Sequence, residues 1–164
     1  FIPVFKRFYQ EIGQNAEDVD IAYRSQLTEG SFADLLQASA KKDALTQYTN
    51  IGIHKDDLLF SIKGHPVKKF GSQGQQKSFI IALRLAQFDW LKQHKGQKPV
   101  LLLDDIFDKL DNERVARLIA LVSADYFGQV LITDTDPARM QALFAQLPGE
   151  TQLFQIKDQQ ALAL

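Results

Sequence analysis

Two groups of residues in this 164-residue chain have the types and spacing for phosphate chemistry. The first is Gly71-Ser72-Gln73-Gly74-Gln75-Gln76-Lys77, a run of small and amide residues where a helix begins. Backbone N–H groups at such a start face an anion, and the helix dipole favours negative charge there. The second is Val100-Leu101-Leu102-Leu103-Asp104-Asp105, followed by Asp108-Lys109-Leu110-Asp111. Carboxylates at the end of a hydrophobic strand stand where open parallel sheets keep their ligands. Asp104 can hold a hydrated Mg²⁺ that bridges phosphate oxygens, and Asp105 can position or deprotonate an attacking water. Each group alone also reads as plain structure, Ser72 as a helix cap and the acids as the start of a turn. Their order, about 30 residues apart, favours a shared nucleotide site.

The elements that must position these residues follow from periodicity. Gln75 to Gln93 reads as a largely buried helix, apolar around most of its circumference from Phe79 and Ile80 to Trp90 and Leu91, with Arg84 and Gln87 on a narrow polar side. Val100 to Leu103 reads as a central parallel strand. Asp111 can cap a helix whose apolar face is Val115, Leu118, Ile119 and Val122. Gln129 to Thr133 reads as a second strand. Asp136-Pro137 opens a helix with Met140, Leu143, Phe144 and Leu147 on one face, and Thr151 to Ile156 reads as a third strand. The tail, Asp158 to Leu164, reads as irregular or as a short final element. Strands and helices in alternation with short links imply an α/β fold, a parallel sheet covered by helices.

Residues 1–70 carry a weaker chemical signal. Val4 to Ile12 has helical spacing ended by Gly13, Val19 to Arg24 alternates as a half-buried strand, and Ser31 with Asp34 opens a further helix. Thr46 to Asp57 is polar, and His54-Lys55-Asp56-Asp57 reads as a solvated loop rather than a metal or acid–base site, for want of a second ligand set. Leu58 to Ile62 and Val67 to Phe70 flank Lys63-Gly64-His65-Pro66 as a hairpin.

Composition narrows the function classes. A net charge of −1 gives no global pull toward nucleic acid, so DNA contact needs a local basic patch, for which Lys41-Lys42, Lys63 and Lys68-Lys69 are candidates. There is no cysteine for a disulfide or thiolate metal site, and no apolar run approaches the roughly 20 residues of a membrane span. The expectation is a cytoplasmic protein. The chain begins Phe1-Ile2-Pro3-Val4 and its single methionine is Met140, so it reads as a fragment of a longer protein.

The Gly71–Lys77 run resembles the signature motif of ABC-type ATPases, in the form carried by the RecF family of DNA replication and repair proteins. Val100 to Asp105 resembles the Walker B strand, and Asp108-Lys109-Leu110-Asp111 the D-loop. Tyr48 to Asp57 is similar to a RecF segment that usually reads Gly-Pro-His-Arg-Asp-Asp. A bare signature motif also fits SMC-like heads; His54 to Asp57 and the Gln75-Gln76-Lys77 ending point to RecF. The resemblance implies the C-terminal half of an ABC ATPase head in residues 71–164, and part of a mixed α+β second lobe with a connecting hairpin in residues 1–70. It implies ATP and Mg²⁺ as cofactors, an ATP-dependent homodimer, and binding to duplex DNA and single-strand/double-strand junctions. It further implies action with RecO and RecR to load RecA at gaps, within recombination, replication-fork maintenance and the SOS response. By position, Ser72, Gly74 and Gln75 would contact the γ-phosphate held by the opposite protomer, with Gln76 and Lys77 in the same nucleotide-binding turn. Asp104 would serve the metal, Asp105 the attacking water, and Asp111 would cross the dimer interface.

The sequence departs from the family pattern at several places. Asp105 stands where most ABC ATPases have glutamate, Ile53 where proline is usual, and Asp134 and Thr135 where many carry a switch histidine. No Gly-x-x-x-x-Gly-Lys-Ser/Thr occurs, so nothing here cradles the α- and β-phosphates. The segment alone is therefore expected to be inactive. Two other readings compete: a non-catalytic DNA- or protein-interaction module with relic motifs, and a stand-alone metal-dependent hydrolase using Asp104, Asp105 and Asp108.

Overall fold

The computed structural model describes residues 1–13, 17–145 and 150–164. In chain order the elements are α1 (Ile2–Gly13), β1 (Val19–Arg24), α2 (Phe32–Thr46), β2 (Asp57–Ile62), β3 (His65–Pro66), α3 (Val67–Phe70), α4 (Gln73–Lys95), β4 (Leu101–Leu103), α5 (Asn112–Val122), β5 (Val130–Ile132), α6 (Pro137–Phe144), β6 (Phe154–Lys157) and β7 (Gln160–Ala163). They fall into two compact units, Phe1–Glu17 with Gly71–Leu164, and Asp18–Phe70.

In the first unit, α1 sets Phe5, Phe8, Tyr9 and Ile12 on one stripe, and all four are buried. The stripe packs on α4 and α5. Phe5 and Phe79 ring centroids lie 4.6 Å apart, and Phe8 meets Phe127 at 6.0 Å. Helix α1 therefore belongs with residues 71–164, and the expected grouping of all of residues 1–70 is corrected at this end. The reason is that its apolar stripe finds a matching apolar side on α4.

Helix α4 stops where Gly96 takes the left-handed conformation at φ 66°, with Lys92, His94 and Lys95 in its last turn, where the dipole favours cations. Its buried side is narrower than the pattern suggests, since Ile80 and Trp90 are exposed. Strands β4 and β5 pair in parallel, Leu101 with Val130, Leu102 with Leu131 and Leu103 with Ile132. Leu101 and Leu103 are buried, whereas Leu102 is 68% and Leu131 51% exposed. Helix α5 buries Val115, Leu118, Ile119 and Val122, as its spacing implies. Helix α6 buries Met140; Leu147, expected on the same face, lies outside the described residues.

The expected third parallel strand is not one. Strand β6 pairs antiparallel with β7, and Lys157 faces Gln160 across Asp158-Gln159. Both turn residues have positive φ, 49° and 62°, the geometry that lets two residues close a hairpin. The tail thus forms a strand of its own, and the parallel sheet has two strands among the described residues.

In the second unit β1 and β2 pair antiparallel from Val19–Ile62 to Arg24–Asp57. The hairpin after β2 is shorter than expected: Ile62 faces His65 across Lys63-Gly64, at φ 51° and 74°, and Val67–Phe70 is a helical turn, not a strand. Two left-handed residues close the turn early, and Pro66, without an N–H, cannot extend the ladder. Ser31 caps α2, its Oγ accepting from the Asp34 N–H at 3.2 Å. The His54 segment forms a short 3₁₀ turn over Ile53–Lys55, where His54 Nε2 lies 2.9 Å from the Thr49 carbonyl oxygen. Asp56 accepts from the Tyr23 hydroxyl and Asp57 pairs with Arg24 at 3.2 Å, so these side chains serve the strand start.

The fold class is α/β, as the alternation of elements implies. Among the described residues no helix is long and apolar enough to cross a membrane.

Candidate functional site

The start of α4 is built by its own side chains. Ser72 Oγ accepts from the Gln75 N–H at 3.2 Å and Gln75 Oε1 accepts from the Ser72 N–H at 2.7 Å, a reciprocal capping box. The other end of the Gln75 amide, Nε2, donates to Glu17 Oε1 at 2.6 Å. Glu17 Oε2 accepts from the Tyr9 hydroxyl at 2.8 Å. Burial first, and then the Glu17 carboxylate, push the Tyr9 pKa well up, so this hydroxyl stays a donor. Gln76 Nε2 donates to the Gly71 carbonyl at 2.8 Å. Gln75 and Gln76 thus shape the turn that sequence reasoning assigned to nucleotide binding.

Gly74 has a specific steric reason. A Cβ at this position would stand 2.6 Å from Arg114 Nη1 and 3.3 Å from the Lys109 carbonyl oxygen. The missing side chain lets the Gly71–Lys77 turn lie against the Asp108–Asp111 turn. There Lys109 adopts φ 65° and Asp111 caps α5, accepting from the Arg114 N–H at 2.9 Å. Arg114 Nε lies 3.5 Å from Asp111 Oδ2. Asp108 pairs with Lys109 at 3.8 Å on the exposed surface.

Asp104 and Asp105 follow β4 and are both exposed, while Ile106 and Phe107 turn inward and anchor the segment. The end of β5 joins them: the Thr133 hydroxyl donates to the Asp104 carboxylate and accepts from the Asp105 N–H, the latter at 3.2 Å. Lys77 Nζ donates to the Asp105 carbonyl at 2.8 Å. The structure therefore brings Lys77 and Gly74 beside Asp105 and the Asp108–Asp111 turn.

The Asp134 side chain, where a switch residue would stand, is fully buried against Arg139, whose Nη2 donates to its two oxygens at 2.6 and 2.5 Å. The Arg139 guanidinium also lies 5.6 Å from the Phe107 ring centre. Burial acts to raise the Asp134 pKa, but the Arg139 hydrogen bonds and the backbone N–H groups of Asp136 and Thr135 outweigh it, and the net direction is down. A carboxylate depressed on folding stabilises above its unfolded pKa of about 3.9 and loses that contribution as pH falls through the lower folded value. Asp134→Asn is expected to cost about 2 kcal/mol at neutral pH, less than a fully buried pair because Arg139 is partly exposed. The variant should also flatten the acid limb of a urea-unfolding stability curve; an unchanged limb would show that the pair adds nothing.

Sequence reasoning missed Glu17, Arg114 and Arg139. Arg114 had a signal, its i, i+3 spacing from Asp111. Glu17 stands 58 residues from Gln75, and Arg139 reaches Asp134 across a helix cap, so local patterning could not find them.

No protein-family model matches the chain. It is 54% identical over 143 residues to the DNA replication and repair protein RecF of Flavobacterium johnsoniae, covering 87% of this chain and 40% of that protein. It is 44% identical over 159 residues to RecF of Phocaeicola vulgatus, covering 96% of this chain and 43% of that one. Among solved structures, the recombination mediator protein RecF with ATP superposes with a TM-score of 0.72 at 25% identity, over 99% of this chain and 44% of that chain. The chain spans about two-fifths of the length of the curated relatives it matches. Along nearly all of its length the chain is thus similar, in sequence and in fold, to about two-fifths of the RecF proteins.

Proposed function

We propose that these residues are the C-terminal portion of a RecF-type, ATP-dependent DNA-binding protein of recombinational repair and replication-fork maintenance. The observation that carries the reading is the convergence of the Gly71–Lys77 turn, the Asp104-Asp105 pair and the Asp108–Asp111 turn in one unit, through Lys77 to Asp105 and Gly74 against Lys109. In this reading Ser72 and Gly74 present the turn to the γ-phosphate of nucleotide on an opposing protomer, Gln75 and Gln76 hold its shape, and Lys77 ties its helix to Asp105. Asp111 lies on the same dimer-facing side. Asp105 orients and accepts a proton from the attacking water.

The donor chemistry at Asp104 fits Mg²⁺. Its carboxylate and the Thr133 hydroxyl are hard oxygen groups. Among the described residues no group of three or more His, Cys, Asp or Glu could hold a metal unaided. One carboxylate completed by phosphate oxygens and water is how Mg²⁺ is commonly held beside a nucleotide. The bound ion would neutralise charge on the phosphate oxygens. A solved RecF structure with ATP supports the nucleotide assignment.

Duplex DNA and single-strand/double-strand junctions, RecO, RecR and an ATP-driven homodimer are the proposed partners, and the cytoplasm the proposed compartment. Without a phosphate-cradling loop the 164-residue chain should bind Mg-ATP more weakly than micromolar, while the full-length protein hydrolyses it slowly. Isothermal titration of both species tests this. Micromolar binding by the 164-residue chain would contradict the proposed division of the site.

A further inference from the structure

We infer that Lys77 is a positioning residue for Asp105, acting through the backbone and not through the nucleotide. The inference rests on the function proposed above and adds a role to its site. Lys77 lies in the first turns of α4, on the same helix as Ser72 and Gly74, and its Nζ stands 2.8 Å from the Asp105 carbonyl oxygen. Asp105 has φ 46°, a left-handed conformation that L residues rarely hold. Such a conformation persists only where its surroundings over-determine it.

Two bonds do so here. Thr133 Oγ1 takes the Asp105 N–H at 3.2 Å, and the Lys77 ammonium donates to its carbonyl at 2.8 Å. The N–H belongs to the peptide before Asp105 and the carbonyl to the peptide after it. Both flanking peptides are thereby tied, and rotation about either Asp105 dihedral breaks one tie. The Lys77 bond is the charge-assisted member and thus the stronger kind. Thr133 also holds the Asp104 carboxylate, so one set of bonds fixes the aim of both acids. Because Lys77 rides on the helix whose first turn faces the opposing protomer's nucleotide, a shift of that turn is passed to the carboxylate of the same subunit.

The test uses the full-length protein containing this segment. In Lys77→Met, which keeps the stem and removes the donor, nucleotide-free hydrogen exchange at the amides of residues 104–107 should rise about tenfold, with α1 peptides unchanged. Lys77→Arg, still a donor, should retain protection. In steady state Lys77→Met should lower kcat about tenfold with KM for ATP within about twofold, and Lys77→Arg should recover most of it. Unchanged exchange in Lys77→Met overturns the inference. So does a raised KM at unchanged kcat, which would mark Lys77 as a direct phosphate ligand. If circular dichroism shows that Lys77→Met does not fold, Lys77→Gln, too short to reach the carbonyl, is measured in its place. Absence of ATP turnover in the wild-type protein counts against the proposed function alone, and the exchange result still decides Lys77.

Discussion

Replacing Asp105 with asparagine in the full-length protein is expected to lower ATP turnover about 10²–10³-fold while leaving ATP affinity within a few-fold. Asparagine matches the shape of the carboxylate and can still orient a water by hydrogen bonding, but it cannot take the water's proton. The main chain beneath the side chain is held by Lys77 and Thr133, so the substitution changes the chemistry at one end of a fixed lever. Asp105→Glu is the informative companion. It adds the methylene by which this chain differs from most ABC ATPases, and it should hold or raise turnover if reach is what limits the wild type. Phosphate release and nucleotide binding measured on the same preparations separate the outcomes. Full turnover in Asp105→Asn removes Asp105 as the base, whereas lost affinity with unchanged kcat makes it a ground-state ligand.

Much of this site was legible because its signals are local. Ser72 with Gln75 is a capping pattern written within four residues, and it forms as written. Asp111 and Asp136 cap helices for the same reason. The strand before Asp104 was visible as an apolar run. Turn handedness was not visible. Lys63-Gly64 and Asp158-Gln159 both close two-residue hairpins, yet only the first contains a glycine. That is why the first hairpin was drawn too long and the second was missed, with Thr151 to Ile156 placed in the parallel sheet. The left-handed Asp105 is a further instance, held by bonds to residues 28 positions away on either side. Long-range polar pairs such as Gln75–Glu17 and Asp134–Arg139 belong to tertiary packing, and no window along the chain contains their cause.

Helix α1 shows the same limit at the scale of an element, and its packing sets the largest expected effect on stability. Phe79→Ala should destabilise the protein by about 3–5 kcal/mol, the range for removing a buried aromatic ring. Phe79 is 2% exposed and meets Phe5 at 4.6 Å and Tyr9 at 6.1 Å between ring centroids. The cavity would open between α1 and α4, on the helix that begins with the Gly71–Lys77 turn and beneath the Tyr9–Glu17–Gln75 chain of hydrogen bonds. Loss of stability and loosening of the turn should therefore appear together, as a lower urea midpoint and faster hydrogen exchange at residues 72–77. Ile80→Ala, one residue on, supplies the control. Ile80 is 55% exposed, so its truncation should fall within about 0.5 kcal/mol of wild type. Because the two substitutions sit side by side on one helix, propensity and unfolded-state effects largely cancel, and the difference reports burial against α1. A comparable loss at Ile80 would mean that this side of α4 is also covered in solution, by a part of the longer protein or by a second copy.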